Sequence, residues 1–521
     1  MTNTDTAASG LLGPDGAGHP RRNQILGIMC LCLVLIVAAV SSLNVAIPTI
    51  VRVLEPSSTE QLWILDSYAL VFAGLLLLCG ALGDRYGRKY ALIVGLVIFA
   101  AASMLAAYAT NPTQLIAYRG IMGIGAALIM PATLSTLTVV FAPGERAKAI
   151  AIWSGLAGAG GAIGPVASGL LLERFWWGSV FFIAVPIAAV ALIAVLAIVP
   201  NSADSERHAL DYVGAALSVV ALCSIVFGII QGPESGWLDP LTIGAFALGV
   251  VAAILFVWWE LRVPFPLLDP NFFRIPAFGL GSLTITIAFL AMFGMFFLLT
   301  LYLQFVLGFS PLGTAVRLLP FSAIMIAIAP RNPQLVDRFG ARQVIAAGFV
   351  IQSIGFGIAT LLDVDSSYWL LLAAVGPMAA GMALLMPPAT NAIVTSLPED
   401  KAGVASAVND TTREVGGAIG IALLGTIVTV NYQSAMGGVG EGLPGSLGEL
   451  VEDSIGGAYQ AASQLDVAQA GPIISAANRA YVDGTTVAFG LAAALGLVMA
   501  VLITRFYPAE DPADDPLDVQ A

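Results

Sequence analysis

The sequence predicts an all-α polytopic membrane protein with two six-helix bundles and two further helices inserted between them. Three observations carry that prediction. The composition is apolar and poor in charge, short strings repeat about half a chain apart, and Arg and Lys crowd onto alternate connections.

Of 521 residues, 58% are hydrophobic and only 10% charged, whereas a soluble domain averages about 25% charged residues. A protein core cannot absorb that gap, so lipid must be the solvent for most of the chain. Apolar stretches about as long as a bilayer-crossing helix recur along it. Fourteen are read, at about 25–50, 62–83, 90–109, 114–140, 146–172, 177–199, 212–231, 240–260, 278–306, 312–335, 343–362, 368–395, 402–432 and 481–504. The first follows Arg21 and Arg22 and is too long for a cleaved signal segment.

An even count puts both termini on one side. That side would hold Arg21, Arg22, Arg85, Arg88, Lys89, Arg146, Lys148, Arg207, Arg262, Arg274, Arg331, Arg338, Arg342, Lys401 and Arg505; the other holds Arg52, Arg174 and Arg479. The positive-inside rule then places both termini in the cytoplasm. The net charge of −12 misleads as a whole, because ten acids sit in the outer segment 433–480 and the tail 505–521. The expected organisation is a cytoplasmic tail at 1–24, a six-helix bundle at 25–199, a linker with two extra spans at 200–277, and a second bundle at 278–504. The outer segment 433–480 interrupts that second bundle, and an acidic cytoplasmic tail follows at 505–521.

Composition also excludes functions. Cys30, Cys32, Cys79 and Cys223 lie in apolar stretches and read as small buried hydrophobes. His19 and His208 lie outside the spans. The lysines are Lys89, Lys148 and Lys401, none after a glycine, so no phosphate-binding GK[ST] loop exists. There is no basic patch for nucleic acid and no nucleophile or metal cluster. No enzyme activity, ATP use, cofactor or metal is expected; the expected partners are a small-molecule substrate, protons and the bilayer, with the chain acting as a monomer.

The repeats order the spans. Gly80-Ala-Leu-Gly-Asp84-Arg85-Tyr-Gly87-Arg88-Lys89 is echoed 253 positions later by Pro333-Gln-Leu-Val-Asp337-Arg338-Phe-Gly340-Ala-Arg342. Gly160-Gly-Ala-Ile-Gly164 recurs letter for letter as Gly416-Gly-Ala-Ile-Gly420, and Gly125 to Pro131 is echoed by Gly381 to Pro387. Six spans repeat as six, around a midplane site of the kind alternating access uses. The charged string reads as a tight loop, with Gly83 and Gly87 allowing the turn, that latches one conformation of the bundle.

Ionisable residues inside spans are costly and point to function. Arg119, near the outer end of span 4, faces a cavity or a carboxylate, or else snorkels outward; for Arg317 in span 10 snorkelling is favoured. Asp410 and Glu414 in span 13 lie four apart, on one helix face, with Arg413 between them. Two carboxylates about 12 and 18 Å along a span are hard to keep ionised together, which suits a proton carrier. Asp66 in span 2 is a shallower candidate. Span 5 carries Gly160, Gly164, Pro165 and Gly169, where small residues permit close packing and proline favours a bend, as in a gating helix. Asn44 in span 1 is a buried polar group suited to line a pathway. Phe289, Met292, Phe293, Met295 and Phe296 crowd span 9; an aromatic and methionine site for an oily ligand is one reading, and facing lipid or packing is the commoner one for such clusters. Ser446 to Glu449 has the capping-box pattern in an outer segment that either covers the mouth or hangs loose.

Taken together, these strings resemble the 14-helix drug:proton antiporter family of the major facilitator superfamily, over about 25–507. Gly80 to Lys89 resembles that superfamily's loop signature. Arg119 with its following glycines resembles the family's proton-transfer motif in span 4. Gly160 to Gly169 resembles its span 5 antiporter motif, and Asn44 to Pro48 resembles the end of its span 1 string. The charged span 13 region matches at Asp410, Arg413 and Glu414. The resemblance lapses at Ala39, where the span 1 string has an acid, and at Met122, where span 4 usually has glutamine. It implies a major facilitator fold and proton-coupled export of small amphipathic drugs, antibiotics or a metabolite across a bacterial cytoplasmic membrane. A proton-coupled importer, or a lipid flippase or envelope scaffold, is the alternative reading.

Overall fold

A computed structural model describes residues 18–202, 211–264, 266–397, 402–441, 443 and 446–508. Most of both predicted tails, Arg207, His208 and Lys401 fall outside these residues, as do the side chains of Asp84, Arg146 and Lys148. Every regular element described is helical. In chain order the helices are α1 Arg22–Leu54, α2 Ser58–Tyr86, α3 Arg88–Ala107, α4 Pro112–Val140 and α5 Pro143–Arg174. Next come α6 Ser179–Ile198, α7 Tyr212–Ser235, α8 Pro240–Glu260, α9 Pro276–Val306 and α10 Pro311–Phe339. The last are α11 Ala341–Ala359, α12 Tyr368–Thr395, α13 Ala402–Met436, α14 Leu447–Asp453, α15 Ile455–Ser463 and α16 Val467–Phe506. Among the described residues, 12 helices are long and apolar enough to cross a membrane. Beyond those 12, α2 and α5 run 29 and 32 residues.

Local chemistry starts these helices where the sequence provides it. Ser57 and Glu60 form a reciprocal capping box at α2: the Glu60 amide donates to Ser57 Oγ at 3.2 Å and the Ser57 amide to Glu60 Oε2 at 3.0 Å. Asn111 accepts from the Gln114 amide ahead of Pro112 at α4. The capping box expected at Ser446 does not form. Ser446 sits at φ −86°, ψ 6° rather than extended, so its hydroxyl is not presented to the following amides.

The charged string is not a loop. α2 stays helical through Tyr86 and α3 begins at Arg88, so Gly87 alone makes the turn, at φ 119°. Gly83, also expected to turn, is helical and packs on Ala91. Charged residues at a helix end do not break it; only a residue free to take positive φ reverses the chain here. Gly340, at φ 80°, does the same between α10 and α11.

The repeated glycines mark helix crossings that recur. A Cβ added at Gly125 would meet Phe99 N at 2.8 Å, so α4 lies directly on α3; one at Gly381 would meet Gln352 N at 2.6 Å, so α12 lies on α11. A Cβ at Gly164 would overlap Ser41 Oγ and meet Ala38 O at 2.7 Å, fixing α5 against α1. The corresponding Gly420 admits no Cβ against Leu290 O, fixing α13 against α9. Small residues bring backbones together this way where lipid offers no hydrophobic drive. α5 runs unbroken through Pro165. In α12, Pro387 and Pro388 cannot donate to Ala383 O and Leu384 O. The buried Asn332 amide of α10 takes up both carbonyls, at 2.9 and 2.8 Å.

α1–α6 pack among themselves, as do α9–α13 with α16. α7 lies along the seam where α2 meets α13: Val219 abuts Gly74, and Ile229 O accepts from Thr426 Oγ1. α8 packs on α7 and exposes Leu241, Leu248 and Ile254.

Among the described residues, the side-chain hydrogen bonds joining the two halves cluster at the end remote from Gly87. Gln304 Nε2 donates to Val45 O at 2.9 Å, and Ser310 Oγ to Glu173 Oε1 at 2.7 Å. Gly169 of α5 lies against the Leu312 backbone of α10. The segment after α13 closes over this end. α13 extends to Met436, and 467–480 belongs to α16, which begins 14 residues before the expected span at 481. Between them, Asp453 accepts from the Ser58 amide at 3.0 Å, and its carbonyl accepts from Ser58 Oγ at 2.7 Å. Tyr459 donates to Phe305 O, and Val451, Ile455 and Ala458 are buried. The segment is thus packed against both halves rather than hanging loose.

Candidate functional site

Arg119 and Asp66 enter the interior from the same end of the first half. Each lies two turns into its helix, about 10 Å past Pro112 for Arg119 and about 12 Å past Ser58 for Asp66. Gly123, one turn beyond Arg119, lets α4 close on α2, since a Cβ there would meet Tyr68 O at 2.7 Å. That approach sets the Arg119 guanidinium 4.5 Å from the Tyr68 ring centre and its Nε 3.1 Å from Ile64 O. Arg119 is 1% exposed, so it does not snorkel. Asp66 is fully buried rather than interfacial, and neither of its oxygens has a hydrogen-bond partner among the described residues. The two side chains lie within each other's field.

The second half contributes one helix. Asp410, Arg413 and Glu414 share a face of α13, with Arg413 Nη1 3.5 Å from Asp410 Oδ1 and side chains 24% and 14% exposed. Gly416 and Gly420 hold this stretch against α9, and the Arg413 guanidinium lies 4.8 Å over the Phe289 ring. Phe289 and Phe293 stand 5.9 Å apart, and Phe293 borders Gly417. Neighbouring Asn409 accepts from Thr390 Oγ1 of α12, which fixes the helix rotation.

Tyr68 is buried under the Arg119 guanidinium, and its hydroxyl has no hydrogen-bond partner among the described residues. α2, which carries Asp66, packs against α13, which carries Asp410, Arg413 and Glu414. With Arg119, three acids and two arginines lie on helices that meet between the halves. One proton on any of the carboxyls balances the charge, and in a medium that solvates ions poorly, balance is strongly favoured.

The other predicted residues take separate places. Asn44 is buried in α1 with Oδ1 unpartnered among the described residues. Gly160, Gly164, Pro165 and Gly169 sit on α5, their glycines facing α1 and α10. At the hairpin end, Lys89 Nζ donates to Leu196 O in the last turn of α6 at 2.9 Å, and the Arg88 amide to Ser202 O. The Arg85 guanidinium lies 5.5 Å from the Tyr86 ring centre. Gly80 packs on Pro131. Asp337 and Arg338 are exposed, Arg338 over its neighbour Phe339, and Arg342 is partly buried. Arg317 folds back to Gly313 O and the Phe309 ring at the start of α10.

Two participants were not singled out from the sequence, Tyr68 and the role of Phe289. Trp63-Ile-Leu-Asp66-Ser-Tyr68 placed Tyr68 beside an acid, which was the available signal.

The sequence profile of the Major Facilitator Superfamily matches residues 29–421. The chain is 34% identical over 492 residues to the multidrug efflux pump LfrA of Mycolicibacterium smegmatis, covering 94% of this chain and 97% of that one. It is 31% identical over 536 residues to the tetracenomycin C resistance and export protein of Streptomyces glaucescens, covering 98% and 97%. A bacterial homolog of the human lysosomal transporter Spinster, solved facing inward and unoccupied, superposes with a TM-score of 0.67 at 18% identity, over 94% of this chain and 98% of that one. The chain belongs to the major facilitator superfamily: it is a multi-pass membrane transporter and not an enzyme.

Proposed function

We propose that the protein is a proton-coupled antiporter that exports small amphipathic compounds, drugs or a metabolite, across the bacterial cytoplasmic membrane. One observation carries the reading: Asp66 and Arg119 of the first half and Asp410, Arg413 and Glu414 of the second, one proton short of balance together, lie on helices of which α2 packs directly against α13. A proton bound there stabilises one arrangement of the halves, and a substrate competing for the same acids favours its departure. The activities of the relatives, multidrug efflux and tetracenomycin C export, support export over import or scaffolding.

In this reading all fourteen long helices span the bilayer, both termini are cytoplasmic, and the chain works as a monomer with the domain limits given above. The end sealed by α14 and α15 faces outward, and the Gly87 and Gly340 hairpins face the cytoplasm. The hairpin residues act as latches, and α5, tight against α1 and α10 through its glycines, is the gate. One elementary charge crossing 100 mV releases about 2.3 kcal/mol, enough to sustain tens-fold accumulation per proton. The test is proton release in proteoliposomes loaded with a pH dye. Adding a transported drug to protein-containing vesicles is expected to move protons opposite to the drug; solute flux without proton movement would contradict antiport.

A further inference from the structure

The connection between the two halves carries a pair of acids that the transport cluster does not use. Asp211 caps the start of α7 and Glu260 ends α8, so the hairpin of inserted helices closes on itself at its base. The Gly214 amide and the Trp259 indole both donate to Asp211 Oδ1, each at 2.8 Å, and the Leu268 amide donates to Glu260 Oε2 at 3.3 Å. The other two oxygens, Asp211 Oδ2 and Glu260 Oε1, are buried and accept from no donor among the described residues. They crowd the one point that a Cβ on Gly214 would occupy, within hydrogen-bond reach of each other. The residues themselves are 6% and 2% exposed.

Two bare carboxylate oxygens do not face each other stably away from water, because each meets a negative charge where it needs a donor. One proton removes the conflict, since a carboxylic acid donates where a carboxylate only accepts. Position decides which acid holds it. Asp211 keeps its charge at a helix N-terminus with two N–H donors, whereas Glu260 sits where the free carbonyls of α8 form a negative end. No basic side chain among the described residues forms an ion pair with either acid. Arg262 lies 4.0 Å over the Trp258 ring, and Asp269 accepts from the Asn271 amide. The helices packed on α7 are α8, α2 and α13. Towards this end α2 carries Asp84, Arg85 and Tyr86, with Arg85 over the Tyr86 ring. The charges of α13, Asp410, Arg413 and Glu414, are gathered at Phe289.

We propose that Asp211 and Glu260 form a second proton site, in which Glu260 Oε1–H donates to Asp211 Oδ2 and so clasps the base of the α7–α8 hairpin. Because Glu260 also holds the Leu268 amide, the clasp joins the segment that leaves the first half to the one that enters the second. Exposed Tyr212 and Arg262 flank it, so the proton exchanges with the bathing solution, the cytoplasm in the orientation proposed above. Loss of the proton sets two negative charges face to face, opens the hairpin at its base and loosens α7 along the seam between α2 and α13. The site goes beyond the export reading and does not require it.

Thermal melting of purified full-length protein in detergent tests the clasp, comparing the wild type with E260Q and D211N from about pH 5 to about pH 9. Either amide copies the protonated pair, since its NH2 group donates across to the remaining carboxylate. Folding of the wild type takes up the shared proton where the unfolded acids have released theirs, so its stability falls as pH rises, and the amide variants lack that fall. The melting temperature of E260Q minus that of the wild type is expected to grow by about 2 °C across the range. Infrared spectra at neutral pH are expected to lose one protonated-carboxyl carbonyl band in E260Q. A melting difference that stays constant, or an unchanged band, overturns the proposal. D211N is read the same way if E260Q does not fold. If neither amide folds, the neutral hydrogen-bonded form is not the native one and the proposal falls. Drug-driven proton movement tests the export reading separately and is untouched by these outcomes.

Discussion

The two six-helix halves cross their helices at matching glycines yet hold their charges differently. Gly164 on α1 and Gly420 on α9 do the same mechanical work, as do Gly125 on α3 and Gly381 on α11. The charged residues have no such mates. The position of Asp410 corresponds to Ser154, that of Glu414 to Gly158, and that of Arg119 to Val375. In the first half, acid and arginine sit on different helices and are wholly buried; in the second they share one helix and stay partly open. A symmetric body can rock between two states of similar energy, while one-sided chemistry gives each half a separate task. The first half holds its charge buried, and the second holds it on a partly open face.

The largest expected effect breaks the mechanical equivalence. Gly164→Leu and Gly420→Leu each force a side chain into backbone, and each is expected to lose about 3 kcal/mol, read as loss of folded protein on size exclusion. If one is tolerated and the other is not, the crossings are not equivalent. A second test sharpens the electrostatic contrast. Arg119→Gln leaves Asp66 buried without its nearby cation and is expected to lower stability by about 3 kcal/mol, while Arg413→Gln, partly open, is expected to lose about 1 kcal/mol. Chemical denaturation in detergent ranks the two, and the reverse order would contradict the assignment of buried and partly open charge. A third effect, between those of the two arginines in size, concerns a device of the second half. Asn332→Leu strands the carbonyls that Pro387 and Pro388 leave free and is expected to lose about 2 kcal/mol, with no matching loss for Cys79→Leu at the corresponding place in the first half. Thermal melting of the two variants checks it.

Much of this was legible in the chain because lipid imposes simple rules. Apolar length gave the helices, and close helix crossings demand glycine, so repeated glycine strings marked repeated geometry. Asp410, Arg413 and Glu414 were readable because one helical turn brings them together. Tyr68 was not, since only the approach of α4 to α2 at Gly123 sets Arg119 over its ring. Phe289 looked like packing for the same reason: only the fold sets Arg413 above it. The hairpin was misjudged because charge density suggested a loop, whereas the backbone turns only at Gly87. The outer segment was ambiguous because its anchor, Asp453 on the Ser58 amide, is a tertiary contact that no local pattern encodes.

The account depends on carboxyl protonation in α13 being tied to which way the halves open. The most direct test compares uphill and downhill transport by Glu414→Gln in proteoliposomes. The account predicts that drug accumulation driven by an imposed pH gradient disappears while exchange of drug for drug at equal pH on both sides persists. Accumulation at the wild-type level would contradict it.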